Sequence, residues 1–223
     1  MNIYVYWNRN NNDCTKIFHF MSRNDEHSVV EFLEQDNNLS IKRIYQPFED
    51  KNEILKDIQH NELIIFLTHG TEKQILKYQN SPERNLEEYV LIDQKNASLL
   101  KDKVVLAFCC ASAKTLGRYC VSPQIGCKAY VGFESDIVYD NGKAEKTRHI
   151  IYESYKIAFM KGLKYAVKTK CSIQEYHTKL VLYLRREAAK AIMKSENHSL
   201  HNMYSGTIDG LVALGDIQQS LFR

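Results

Sequence analysis

Two apolar runs limit the folds open to this 223-residue chain more than any other feature: ELIIFLTHG at 62–70 and KVVLAFCC at 103–110. Neither alternates apolar with polar residues, so neither suits a strand with one wet face. A strand that is apolar throughout is covered on both faces, as in a parallel sheet sandwiched between helices. NIYVYW (2–7), SIKRIYQ (40–46), YVLID (89–93) and KAYVGF (128–133) supply further extended segments. Helical patterns run through 27–36, 49–60, 96–102, 142–161 and 172–195, with Asn96 placed as a cap. TKIFHF (15–20) reads as a candidate second strand, joined to the first by a hairpin across the Asn-rich turn at 8–12. DGLVALGD (209–216) reads as a closing strand or its turn. The alternation of strands and helices predicts an α/β fold: a mainly parallel open sheet flanked by helices on both faces, with a helical C-terminal half. No repeat and no linker rich in Gly, Pro or Ser divides the chain, so 1–223 reads as a single domain.

Composition removes several classes of function. A net charge of +3 is too small and too dispersed to argue for nucleic acid. No apolar run approaches the roughly eighteen residues of a membrane span, and MNIYVYWNRN lacks the pattern of a signal peptide. Six cysteines at irregular spacings form neither a CxxC pair nor a Cys/His ligand array. The expectation is a cytoplasmic protein with free thiols, no metal and no cofactor. The pair of histidines in HSLHNM (198–203) has no carboxylate or cysteine partner at ligand spacing. No phosphate-binding glycine loop is present.

What remains is chemistry at the ends of the two apolar runs. In open parallel α/β sheets the functional crevice lies at the carboxyl ends of the strands. ELIIFLTHG ends on His69 and Gly70, and KVVLAFCC ends on Cys109 and Cys110. As parallel neighbours these strands deliver an imidazole and a thiol to one rim, the parts of a base–nucleophile pair. Side chains alternate along a strand, so Cys109 and Cys110 point to opposite faces and only one meets His69. Cys110 is the last residue before the chain turns into ASAKTLG, which exposes its sulfur. A helix N-terminus following that turn favours the thiolate. Gly70, without a Cβ, lets its backbone N–H approach a substrate carbonyl, and with the N–H of Cys110 it forms a candidate oxyanion hole.

LIIFLTHGTEKQI, LLKDKVVLAFCCASAKTLG and GCKAYVGFESDI together resemble the caspase-like cysteine peptidases, and among them the small bacterial caspase-like and CHAT-type members most. The resemblance spans about residues 62–136 in motifs and most of the chain in the order of its elements. It implies His69 as base and Cys110 as nucleophile, with Cys109 in the small slot before it and Ser112-Ala113 in place of Ser-Gly. Phe108 stands where relatives often carry a polar residue that lines the specificity pocket. Glu134 and Asp136, just past AYVGF, are the acidic candidates for a substrate pocket that takes a basic side chain.

The resemblance further implies a protein or peptide substrate, an acyl-enzyme route, and a regulated effector role in bacterial antiviral defence or cell death. An activating partner or a small signalling ligand belongs to that picture. Loops 70–90 and 134–145, which leave the rim, are the expected seat of an off state. Two other readings stand beside it. One is a catalytically inactive caspase-like module whose crevice binds a ligand or partner. The other is an acyltransferase or isopeptidase using the same dyad.

Overall fold

In the computed structural model, residues 1–8, 13–23, 26–45, 50–77, 89–139 and 144–222 are described. Six strands form the main sheet: β1 (Asn2–Trp7), β2 (Ser40–Tyr45), β3 (Leu63–Leu67), β7 (Val104–Phe108), β8 (Ala129–Phe133) and β9 (Leu211–Gly215). Their order is β2-β1-β3-β7-β8-β9. All neighbours are parallel except β9, which runs antiparallel to β8 at the edge. The α/β class and the mainly parallel sheet are thus as the apolar runs require. β3 and β7 are buried at every position, which is the physical meaning of their unbroken hydrophobicity.

Two cores form, one on each face, and residue parity along the strands assigns side chains to them. Leu63, Ile65 and Leu67 join Val104, Leu106 and Phe108 on one face. Ile64 and Phe66 join Val105, Ala107 and Cys109 on the other. The first face is covered by α4 (Glu145–Thr169), α5 (Ile173–Ser195) and α6 (Leu200–Asp209), with the Asp13–Met21 3-10 helix and α1 (Val30–Glu34). The second is covered by α2 (Lys51–His60), the Ala97–Leu100 turn and the helical stretch ending in α3 (Arg118–Cys120). Asp50 caps α2 by accepting the Asn52 N–H at 2.6 Å.

Four local expectations are corrected. Residues 15–20 belong to the Asp13–Met21 helix rather than to a strand. The reason is that β1 is already paired on both edges, by β2 and β3, so no edge is open to a hairpin partner. The turn expected at 8–12 lies outside the described residues beyond Asn8. The helix expected over 27–36 shrinks to Val30–Glu34. Asn96 does not cap the turn after it; its Oδ1 accepts from Asp93 N and its Nδ2 donates to Leu91 O, pinning the preceding chain. The helix expected over 142–161 runs on to Thr169, passing through Gly162. A Cβ there would lie 3.1 Å from Leu180 Cδ1, so the glycine serves the close approach of α5 and does not stop the helix.

A second, three-stranded antiparallel sheet comes after β3: β4 (Gly70–Thr71), β5 (Gln74–Leu76) and β6 (Val90–Ile92). Its strands are too short to show a period in sequence. Among the described residues no helix is long and apolar enough to cross a membrane.

Candidate active site

β3 and β7 are hydrogen-bonded neighbours in parallel register, with Leu67 opposite Phe108. The next residues of each chain therefore leave the sheet side by side, and His69 and Cys110 come to line one cleft of about 60 Å³. Its remaining walls are Thr68, Phe108, and four residues from elsewhere: Ile17 and Phe18 on the Asp13–Met21 helix, Ile137 and Tyr139 on the loop after β8.

The strand stops at Phe108, two residues sooner than KVVLAFCC suggests, yet the alternation persists. Cys109 is fully buried in the core with Ala107, and its thiol points at Phe66 O, 3.9 Å away. Cys110 packs against the opposite core and is half-buried. Of the five cysteines whose side chains are described, it is the one that is not buried. Burial pushes the thiols of Cys109, Cys127 and Cys171 up, and that of Cys120 up to about 12, so none of these is a source of thiolate near neutral pH.

Just beyond Cys110 the backbone turns sharply. Ala111 sits in the left-handed region at φ 50°, a conformation that costs an L-residue about 1–2 kcal/mol. Its N–H donates to Ser135 O at 3.0 Å. The chain continues through a wider helical turn over Ala113–Gly117 into α3. The backbone N–H of Ile137 donates to Cys110 Sγ at 3.4 Å.

That N–H is held by a dense set of bonds. Thr207 Oγ1, fully buried on α6, accepts from Val138 N at 3.1 Å and donates to Asp136 O at 3.3 Å, bracketing Ile137. Tyr155 donates its hydroxyl to Val138 O at 3.0 Å. Ser135 Oγ donates to Gly206 O, and Glu134 N to Gly210 O. Gly210 is needed for this approach, since a Cβ there would lie 2.0 Å from Ser135 Oγ. The described part of the second rim loop is therefore tied to α6. Residues 78–88 and 140–143 of the two loops lie outside the described residues.

His69 is partly buried, and burial holds its pKa below the usual histidine value. The imidazole is neutral at pH 7, the form that accepts a proton. Gly70 packs directly on the cysteine turn: a Cβ there would lie 2.8 Å from both Cys109 Cβ and Cys110 O, and 3.4 Å from Cys110 N. Only a residue without a side chain permits this contact.

The structure thus brings His69, Gly70, Phe108 and Cys110 together. It does not bring Glu134 and Asp136 to the cleft. Arg118 Nε donates to Glu134 Oε1 at 3.0 Å, and Arg118 Nη2 donates to the same oxygen. Asp136 is exposed, with its carbonyl held by Thr207. Sequence reasoning missed Ile17, Phe18, Ile137 and Tyr139. Ile17 and Phe18 were hidden by the strand reading of 15–20, and the role of Ile137 is carried by its backbone, which leaves no trace in residue type. Among the described residues, His177 Nε2 is engaged with Leu211 O at 2.9 Å, while His198 and His201 are exposed. Glu26, His27 and Glu153 lie within ligand distance of one another, but Lys156 Nζ already pairs with Glu153 at 2.7 Å. No protein-family model matches the chain, and no curated protein matches it either.

Proposed function

We propose that the chain is a cysteine peptidase of the caspase-like kind, with His69 as base and Cys110 as nucleophile. The observation that carries this reading is the meeting of His69 and Cys110 as walls of one small cleft at the carboxyl edge of adjacent parallel strands. His69 takes the thiol proton as Cys110 Sγ bonds to the scissile carbonyl carbon, and the carbonyl π electrons move to oxygen. Backbone N–H groups of Gly70 and Cys110 hold that oxyanion. Collapse breaks the C–N bond, with the proton passing from His69 to the leaving amine. Water, deprotonated by His69, then hydrolyses the thioester and frees Cys110. No cofactor enters.

The likeness of LIIFLTHG and LAFCCASA to small bacterial caspase-like and CHAT-type peptidases supports a further part of the proposal: a cytoplasmic effector acting in antiviral defence or cell death. Its activity would be gated by a partner or a small signalling ligand. A second reading, an inactive module whose crevice binds a ligand, is favoured by the narrowness of the cleft, about 60 Å³.

A fluorescent iodoacetamide separates the readings. The peptidase expectation is rapid labelling of Cys110 near neutral pH, lost in Cys110→Ala and strongly slowed in His69→Gln, together with products cut from a mixed peptide library. Cys109→Ala keeps labelling and hydrolysis, at a stability cost of about 1 kcal/mol. Labelling that is slow and indifferent to His69, with no peptide cleaved, overturns the enzyme. If Cys109→Ala is the variant that loses labelling, the assignment of the nucleophile is wrong by one residue.

A further inference from the structure

The walls of the Cys110 cleft specify what side chain it takes. Five of its eight lining residues are apolar or aromatic, and they arrive from three separate parts of the chain. Ile17, Phe18 and Phe108 line it and are almost fully buried, Phe108 being 3% exposed. Phe108 is locked there by Phe159, whose ring centre is 4.6 Å away, and by Phe20 at 6.1 Å. Ile137 and Tyr139 complete the lining, with Ile137 fixed by its N–H on Cys110 Sγ.

Thr68, His69 and Tyr139 bring the polar side-chain atoms of the lining besides the thiol, and Thr68 Oγ1 is already committed as a donor to Leu76 O at 2.7 Å. No carboxylate and no lysine or arginine lines the cleft among the described residues. Glu134 is held on Arg118 outside it. The cleft is small, about 60 Å³. That suits a short aliphatic group, and it is the apolar lining, not the size, that tells against a charged side chain.

We infer that the Cys110 cleft takes a small aliphatic side chain, of Ala, Val or Leu size, from the residue whose carbonyl Cys110 attacks, and rejects Lys, Arg and Asp there. This rests on the peptidase reading and deepens it. Entry of a charged side chain strips its water and meets no opposite charge from a carboxylate, lysine or arginine in the described lining, a cost that disfavours the charged substrate in ground state and transition state alike. An aliphatic side chain loses only unfavourable hydration.

The test is a set of peptidyl acyloxymethyl ketones, identical except that the residue bearing the ketone is Ala, Val, Leu, Lys or Asp. Their second-order rates of Cys110 labelling are measured on the full chain, with the modified residue confirmed by mass spectrometry. The expected result is fastest labelling by the Val or Leu probe and at least a ~100-fold deficit for Lys and Asp. A Lys or Asp probe that labels Cys110 fastest overturns the inference and leaves the peptidase reading intact. Failure of every probe, joined to iodoacetamide labelling that ignores His69, overturns the peptidase reading and the inference with it. In Tyr139→Asp, checked for an unchanged melting profile, the Val-to-Lys ratio is expected to fall by about tenfold or more. An unchanged ratio in that folded variant overturns the placement of the side chain in this cleft.

Discussion

The contact between Gly70 and the cysteine turn makes the sharpest single test of the site, because one added methyl group attacks geometry and leaves chemistry alone. In Gly70→Ala the new Cβ would lie 2.8 Å from Cys109 Cβ and from Cys110 O. Ordinary contact begins near 3.4 Å, so the two segments must part by about 0.6 Å. Neither neighbour is the loose end of a flexible side chain: one is a backbone oxygen and the other is the Cβ of a fully buried residue. Overpacking of this kind costs about 1–3 kcal/mol, and each kcal/mol lowers the Tm of a chain this size by roughly 2–4 °C. The displacement falls between His69 and Cys110, where an error of this scale costs roughly 10- to 100-fold in reactivity. The assay pairs thermal unfolding with the second-order rate of Cys110 alkylation. Gly206→Ala is the matched control: nothing lies within 4 Å of a Cβ there, so it gains about 0.5–1 kcal/mol from helix propensity and keeps its alkylation rate within about twofold. Wild-type Tm together with wild-type alkylation in Gly70→Ala would refute the close packing of β4 on the turn.

Three further outcomes rest on the same geometry. Ala111→Gly relieves the left-handed strain at φ 50° and is expected to gain about 1 kcal/mol in urea unfolding, since glycine adopts that region without penalty. Thr207→Val removes the group that holds Val138 N and Asp136 O; it should cost about 1–3 kcal/mol and slow Cys110 alkylation, while Thr207→Ser restores both. His69 has its pKa lowered by burial from the ordinary 6.5. The unfolded chain therefore binds this proton more readily, and wild-type stability falls as pH drops through 6.5. His69→Gln lacks that loss, so its unfolding free energy relative to wild type should rise between pH 7.5 and pH 5; a constant difference would show that burial does not perturb His69.

The sheet was legible because burial on two faces leaves a mark that no local preference can imitate. β3 and β7 show it as unbroken apolar runs, and they pair as parallel neighbours. Residues 15–20 misled for a related reason. Ile17, Phe18 and Phe20 are all buried, and their aromatic and β-branched character fits a strand as well as a helix lying on the sheet. Only the occupancy of both edges of β1 decides between the two, and that is a property of distant chain. Gly162 and Gly206 concealed helix in the same way, since a glycine reads locally as a stop. In the structure the first admits Leu180, while the second lends its carbonyl to Ser135.

The site was legible to the extent that it is made of side chains at strand ends. His69 and Cys110 could be placed from register alone, because parallel neighbours discharge their next residues at one edge. Everything that tunes them comes from backbone and from far in sequence. The N–H at the sulfur belongs to Ile137, and the hydroxyl that holds that loop belongs to Thr207, 70 residues further on. Charge was the poorer guide. Glu134 and Asp136 stand near the rim in sequence, yet one is spent on Arg118 and the other faces solvent. The walls around the thiol are instead Ile17, Phe18, Phe108, Ile137 and Tyr139. A carboxylate in that enclosure would need a partner to offset its lost hydration, and the same requirement would fall on any charged side chain brought there by a substrate. On the proposed peptidase reading, the apolar lining and the choice of substrate are two consequences of one desolvation cost.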